Sequence, residues 1–443
     1  MVAVSYLFYG WWDWRFLLLI LFTSLCSYLS GVYLEKCAGN RSVQKWISAG
    51  NILLNLSILG VFKYFDFFTE NLVNVLHLLG WDADYVTLNI LLPVGISFYT
   101  FQALSYTIDV YQGKIKATHD IVAFFAYISF FPQLVAGPIE RATHLLPQFL
   151  RPRNFDCDLA LDGIRQMLWG FFKKVVVADN CALFVNGVFE NYQTLDGSTL
   201  FLGAFFFTIQ IYGDFSGYSD IAIGCARLFG IDLMQNFKYP YFSRDIAEFW
   251  RRWHISLSSW LRDYLYISLG GNRKGKFRQY LNLIITMFLG GLWHGASWNF
   301  VLWGTFHGIA LAVHKMWMSI IGRKKGEQSH GWRRVFGVII TFHFVCFCWI
   351  FFRNADFQNS MDMLRQIFTT FRPQLFPQLI EGYWRVFALM LLGFLLHFTP
   401  DSWENAACRG VIRLPFLGKA LLMVALIYLV IQMKSSEIQP FIY

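Results

Sequence analysis

Apolar runs of about twenty residues, the length that crosses a hydrocarbon core of roughly 30 Å, recur from one end of the chain to the other. The first clear one runs from Arg15 to Leu34 behind the aromatic piece SYLFYGWWDW, and a second covers about Ile47 to Phe67. Lys36, Arg41 and Lys45 lie between them, and this loop is expected on the cytoplasmic side, where Lys and Arg collect. Asn71 to Tyr85 reads as an amphipathic or loop connection. Val86 to Tyr111 should bend near Pro93 and Gly95, because proline lacks a donor and glycine lowers the cost of bending. Asp120 to Leu134 reads as a span terminated by Gly137 and Pro138. Glu140 and Arg141 then mark the water interface, and Arg141 to Cys157 is an exposed loop.

Asp158 to Phe189 keeps an apolar period but carries Arg165, Lys173 and Lys174, the pattern of a helix lying partly at the interface or snorkelling at its ends. Leu200 to Phe229 is strongly apolar yet holds Gln210, Asp214, Ser216, Ser219 and Asp220. Such groups are expected to face protein rather than lipid. After the turn MQNFKYPYFSR comes a long segment from Asp245 to Phe306, then a basic loop from Gly322 to Arg334 and a span at about Val335 to Phe352. A polar loop to Gly382 and spans near Tyr383 to Phe398 and Leu414 to Met433 follow. The pattern predicts an all-α, polytopic integral membrane protein with about nine to twelve membrane helices, some re-entrant or broken. With no repeat, low-complexity tract or linker, residues 1–443 read as one domain.

Composition agrees: 56% of residues are hydrophobic and 15% charged, against roughly 25% charged in a soluble domain. The net charge of +9 sits in short clusters between apolar runs, which fits the positive-inside rule and argues against a nucleic-acid partner. The eight cysteines show no CxxC pair and no metal-ligand spacing, so they read as reduced, buried side chains. The first residues lack signal-peptide anatomy, because Trp11, Trp12, Asp13 and Trp14 interrupt any apolar region.

The segment from Asp245 to Phe306 holds two histidines, His254 and His294, in apolar and aromatic surroundings. Lys276 to Met316 is too long for one crossing and has basic clusters at both ends, Arg273, Lys274, Lys276 and Arg278 before it and Arg323, Lys324, Lys325, Arg333 and Arg334 after it. If both clusters are cytoplasmic, the chain enters and returns, and GGLWHGAS is the natural turning point. His294 then lies about 24 Å along a helix from Arg278, deep in the bilayer. A neutral imidazole there suits a general base, taking a proton from an acceptor hydroxyl that attacks an acyl thioester. Trp293, Trp298, Asn299 and backbone N–H groups are candidate donors to the oxyanion. His254 is a candidate for direct chemistry or substrate positioning. His307 has no histidine or carboxylate at ligand spacing, so no metal site is predicted.

FWRRWHISLSSWLRDYLYISLGGNRKG, GGLWHGASWNFVLWG, DFSGYSDIAIG, NFKYPYFSRDIAEFW, PVGISFYTFQALSYTIDVY and FPQLVAGPIER together resemble the membrane-bound O-acyltransferase family, in its bacterial alginate O-acetyltransferase-like branch. The resemblance covers nearly the whole chain. It implies a multi-helix enzyme whose tunnel or opposed funnels meet at an invariant histidine, which falls on His294, while a second recurrent His or Asn falls on His254. It also implies movement of acetyl groups across the bacterial inner membrane to O-acetylate an exported polysaccharide. Periplasmic acetyltransferase or polymer-export partners are expected. Acetyl-CoA is the expected co-substrate, with no bound cofactor, and Arg273, Lys274, Lys276 and Arg278 would suit its phosphates. Asp214, Asp220, Arg252 and Asp263 are expected to support the site, or else to be structural, the carboxylates pairing with Arg251, Arg252 or Arg262. Family members usually carry another apolar helix before SYLFYGWW. A D-alanyl or lipid O-acyltransferase and, from a different class, a transporter or flippase of a polymer intermediate fit the same polar groups.

Overall fold

In the computed structural model the described residues are 1–432 apart from 85–86, 89, 323–328, 355, 398–402, 404–405, 407–408 and 412. Arg323, Lys324, Lys325 and Cys408 therefore lie outside them, as do the ends of several expected spans. The described chain is all-helical, with no strand. Helices α1 (Val2–Trp12), α2 (Arg15–Lys36) and α3 (Arg41–Leu59) pack with α5 (Ile96–Tyr111), α6 (Ile121–Ser129) and α8 (Ala142–Leu150) around one apolar cluster. A π-turn, Gly60–Tyr64, joins α3 to α4 (Phe65–Leu78), so the second span continues well into the stretch expected to be a connection.

The span expected to bend near Gly95 instead begins there, since the described residues just before it are not helical. The Gly95 φ of 76° is a conformation that glycine adopts without a Cβ penalty, and α5 starts at the next residue. The span expected over Asp120 to Leu134 is instead the nine-residue α6 and the four-residue α7 (Phe131–Leu134), with Pro132 at the restart. The loop expected after Arg141 is largely α8, which buries Ala142, Leu145 and Leu146. Glu140, expected at the water interface, is fully buried. Its carboxylate accepts from the Met234 N–H and pairs with His144 at 2.8 Å, and such partners offset the cost of burying a charge.

A second cluster surrounds α11 (Gly197–Leu228), whose 32 residues extend about 48 Å. Helix α9 (Cys157–Phe171) runs through a second π-turn, Phe172–Ala178, into α10 (Asp179–Glu190). That turn presents Lys173 and Lys174 to α11, where they pair with Asp220 at 2.6 Å and Asp214 at 2.5 Å. The polar residues of α11 thus face protein, as expected.

The segment from Asp245 onward folds as α12 (Ile246–Arg252), α13 (Ile255–Trp260), a third π-turn (Leu261–Tyr266), α14 (Lys276–His294) and α15 (Trp298–Ile320). Helices α14 and α15 form an antiparallel hairpin that turns at Gly295–Ser297, where the sequence places it. Lys276 at the start of α14 donates to Ser319 near the end of α15 at 2.9 Å, so the two ends of the hairpin lie together. Helix α16 (Trp332–Arg353) packs against α15 and α11, α17 (Phe357–Thr369) against α11, and α18 (Phe376–Gly382) leads to α19 (Trp384–His397). Helix α20 (Phe416–Gln432) lies against α9.

Among the described residues three helical stretches are long and apolar enough to cross a membrane: Arg15–Lys36, Arg41–Leu78 and Trp332–Arg353. The pair Pro373–Gly382 and Trp384–Leu395, bent by 95°, makes up to four. The expected nine to twelve segments are not reached by this measure.

In the hairpin, Gly291 and Gly304 let the legs touch backbone to backbone. A Cβ on Gly304 would strike the Met287 carbonyl, and one on Gly291 the Phe300 carbonyl. Close approach through small residues is how apolar helices gain contact where hydrophobic burial supplies little. Gly304→Val should therefore cost about 1–3 kcal/mol by overpacking and lower the thermal midpoint of the purified protein by several degrees. An unchanged midpoint would contradict the packing described.

Candidate active site

Helix α14 ends at His294, and its last carbonyls have no partners within the helix. Partners come from the π-turn, more than two hundred residues earlier in the chain. Tyr64 donates its hydroxyl to the Leu292 carbonyl at 2.8 Å, while the Lys63 ammonium donates to the Trp293 carbonyl and, at 3.3 Å, to the Ser97 hydroxyl. The ammonium also lies 5.6 Å from the Trp293 ring centroid. A cation at the negative end of a helix dipole is favourable. Three residues later Ser297 caps α15 by accepting from the Asn299 N–H at 3.2 Å, so the His294 turn is anchored on both sides.

His254 sits between α12 and α13 with φ 42° and ψ 58°, a left-handed conformation unusual for a residue with a Cβ. It is 1% exposed. Its Nδ1 lies 3.1 Å from Asn236 Oδ1, which also accepts from the Ser256 hydroxyl at 2.8 Å, while Asn236 Nδ2 donates to Ser219 at 3.3 Å. An accepting amide oxygen holds the neutral ring as the Nδ1–H tautomer and leaves Nε2 as an acceptor. That Nε2 is buried with no hydrogen-bond partner among the described residues.

Both histidines line one small chamber of about 30 Å³, with Phe98, Phe215, Trp253, Trp293, Trp349 and Phe352 among its walls. His294 stands edge-on to Trp293, Trp303 and Phe352 at centroid distances of 4.9, 5.0 and 5.2 Å, and His254 edge-on to Phe215 at 4.7 Å. The chamber lies beside the third apolar cluster, where Phe98 and Phe101 of α5 meet Trp260 of α13 and Trp293 of α14. It has room for about one or two waters, so aromatic walls must part to admit a larger reactant.

The other expected residues divide. Trp293 lines the chamber, and its indole N–H is buried without a partner among the described residues. Trp298 is exposed and bonds Asn71 at 2.9 Å. Asn299 is buried but donates to the Asn354 carbonyl at 2.8 Å, tying the hairpin to the end of α16. Asp214 and Asp220 pair with lysines of the second π-turn, as above, rather than with arginines of the histidine segment. Arg252 pairs with Glu248 at 2.7 Å, and Asp263 with Arg141 at 2.6 Å and with Arg262. Partial burial raises the Asp263 pKa, but the two guanidiniums outweigh it and hold the carboxyl below its usual range. Arg273, Lys274, Lys276 and Arg278 are exposed at the open end of the hairpin. His307 is buried against Phe249, Trp250 and Trp303, and no three His, Cys, Asp or Glu among the described residues group as metal ligands.

Sequence reasoning missed Lys63, Tyr64 and Asn236. A lysine inside the apolar run Ile47 to Phe67 was the available signal, since an ionisable group there marks a site. Nothing in the local pattern of NFKYPYFSR singles out Asn236.

The family model described as MBOAT, membrane-bound O-acyltransferase family, matches residues 114–354. A protein of Pseudomonas aeruginosa named probable alginate O-acetylase AlgI is 42% identical over 371 residues, covering 83% of this chain and 69% of its own length. The peptidoglycan O-acetyltransferase of Helicobacter pylori is 35% identical over 403 residues, covering 82% of this chain and 72% of its own. The teichoic acid D-alanyltransferase of Bacillus subtilis is 27% identical over 282 residues, covering 61% and 71%. The chain is a membrane protein and an O-acyltransferase: it belongs to the membrane-bound O-acyltransferase family, as its motifs suggest.

Removing the cap should be felt at the histidine. Lys63→Met leaves the Trp293 carbonyl without its donor, costing about 1–3 kcal/mol. A shift of about 1 Å in His294 can cost on the order of a hundredfold in rate. We expect acyl transfer to fall about 10- to 100-fold while the circular-dichroism spectrum stays helical. Unchanged transfer would contradict the positioning role.

Proposed function

We propose that this chain is a multi-pass enzyme of the bacterial inner membrane that takes an acetyl group from a cytoplasmic thioester, acetyl-CoA, for O-acetylation of an exported polysaccharide. The observation that carries this reading is that His254 and His294 line one small aromatic chamber. The alginate and peptidoglycan acetylases among its relatives support an acetyl donor and a polysaccharide acceptor. A periplasmic acetyltransferase or polymer-export protein would complete delivery. The nearness of Lys276 and Ser319 at the two ends of the hairpin supports placing both ends in the cytoplasm, with the apolar helices giving about nine to twelve membrane segments. Arg273, Lys274, Lys276 and Arg278 there would attract the phosphates of the donor.

In this mechanism His294 accepts the proton of the attacking hydroxyl as its oxygen bonds to the thioester carbonyl carbon. The tetrahedral intermediate collapses by breaking the carbon–sulfur bond, and the leaving thiolate recovers that proton from the imidazolium. The Trp293 N–H, uncommitted to another group, is the donor best suited to the oxyanion, whereas the amide of Asn299 is engaged elsewhere. His254 Nε2, held as an acceptor by Asn236, orients the hydroxyl. The supporting parts of Asp214, Asp220, Arg252 and Asp263 are exerted through the packing of their own ion pairs.

His294→Ala should abolish transfer of label from acetyl-CoA to acceptor while expression and thermal midpoint stay close to the parent's. Substantial retained transfer would remove the mechanism. Movement of an intact substrate without covalent change would favour a transporter instead.

A further inference from the structure

On the far side of Asn236 from His254 lies a much larger cavity, of about 1140 Å³, between α9, α11, α19 and α20. Its size exceeds the ~300–1,000 Å³ of ordinary small-molecule sites, and its character is two-sided. Ile164, Leu168 and Trp169 of α9 face Leu422, Met423 and Leu426 of α20 across an apolar interior. Trp169 stacks on Phe172 at 5.4 Å to make a flat aromatic plate in that wall.

The polar lining is cationic. Asp162 serves two guanidiniums, those of Arg165 at 2.9 Å and of Arg227, so this group keeps a positive charge. Lys173 is matched by Asp220. Lys238 and Lys419, also in the lining, have no carboxylate partner among the described residues. Apolar walls exclude a purely aqueous anion, and the excess of cations disfavours a neutral lipid. Basic pockets between membrane helices hold anionic headgroups for this reason.

We propose that this cavity is a binding site for one anionic glycerophospholipid, its acyl chains between α9 and α20 and its phosphate toward Arg165, Arg227 and Lys238. The lipid packs against Ser219 and Asn236, the pair that fixes His254. It therefore braces the support of the candidate active site from behind, without entering the histidine chamber. The inference rests on the membrane setting and the cavity, and stands whether or not the proposed acetyl transfer does.

The test is thermal unfolding of the full-length protein, purified and delipidated in neutral detergent, titrated with phosphatidylglycerol, phosphatidylcholine or glycerol 3-phosphate. Phosphatidylglycerol should raise the midpoint saturably, at concentrations about tenfold lower than phosphatidylcholine, because each basic contact is worth about fivefold in affinity. Glycerol 3-phosphate should have no effect, and the preference should shrink at high salt. In Lys238→Gln/Lys419→Gln, which breaks no ion pair seen in the fold and leaves Arg165 and Arg227 in place, the preference should shrink about fivefold or more. Equal responses to both lipids in the parent protein would overturn the site. So would an undiminished preference in the double variant, or stabilisation by glycerol 3-phosphate alone.

Discussion

A helix that stops inside an apolar protein strands its last carbonyls, and this structure depends on how that is resolved at the end of α14. Water is scarce there, so the donors must come from the chain itself. Lys63 and Tyr64 supply them, delivered together by a π-turn that alters the helix register at that point. Single π-turns inside α-helices concentrate at functional sites because they re-aim side chains in this way. The cap ties the N-terminal bundle to the hairpin and fixes where His294 stands. Without it, the turn at Gly295–Ser297 would have little to hold its direction.

The chamber itself is built from aromatic rings rather than charges. Trp, Phe and His rings meet edge-to-face around His254 and His294, an arrangement that fills space while keeping ring geometry fixed. Charges are kept one layer out. Lys174 pairs with Asp214 and Asp179, and Lys173 with Asp220, clamping α9 and α10 to α11. Removing one partner of such a buried pair is costly, at about 3–5 kcal/mol, so these groups are tied to structure. That division leaves Asp214 and Asp220 engaged by lysines rather than by the histidines. It leaves a small pocket in which two imidazoles are the titratable groups and the indole N–H groups of Trp293 and Trp349 are buried without a partner among the described residues.

Much of this was readable from the residues alone. The all-helical membrane character, the turn at GGLWHGAS and the inward-facing polar residues of α11 follow from apolar run length, glycine placement and the cost of exposing polar groups to lipid. Glu140 and Arg141 misled, because a charged pair after Gly137 and Pro138 reads as a helix meeting water, whereas His144 and the Met234 N–H arrive from elsewhere to satisfy Glu140 in the interior. Trp298 and Asn299 lie close to His294 in sequence, but their side-chain donors are engaged by Asn71 and by the Asn354 carbonyl. Lys63 and Asn236 were missed because their partners lie 230 and 18 residues away in the chain, and no local pattern encodes such a pairing.

If His294 acts as a base in direct transfer, the enzyme never carries the acetyl group itself. Acid-quenched single turnover with radiolabelled acetyl-CoA, with and without acceptor, measures this directly. The account predicts that label appears on acceptor or partner and that the chain stays unlabelled at every time point. Stoichiometric label on the chain, absent in His294→Ala, would make the histidine a nucleophile and contradict the account.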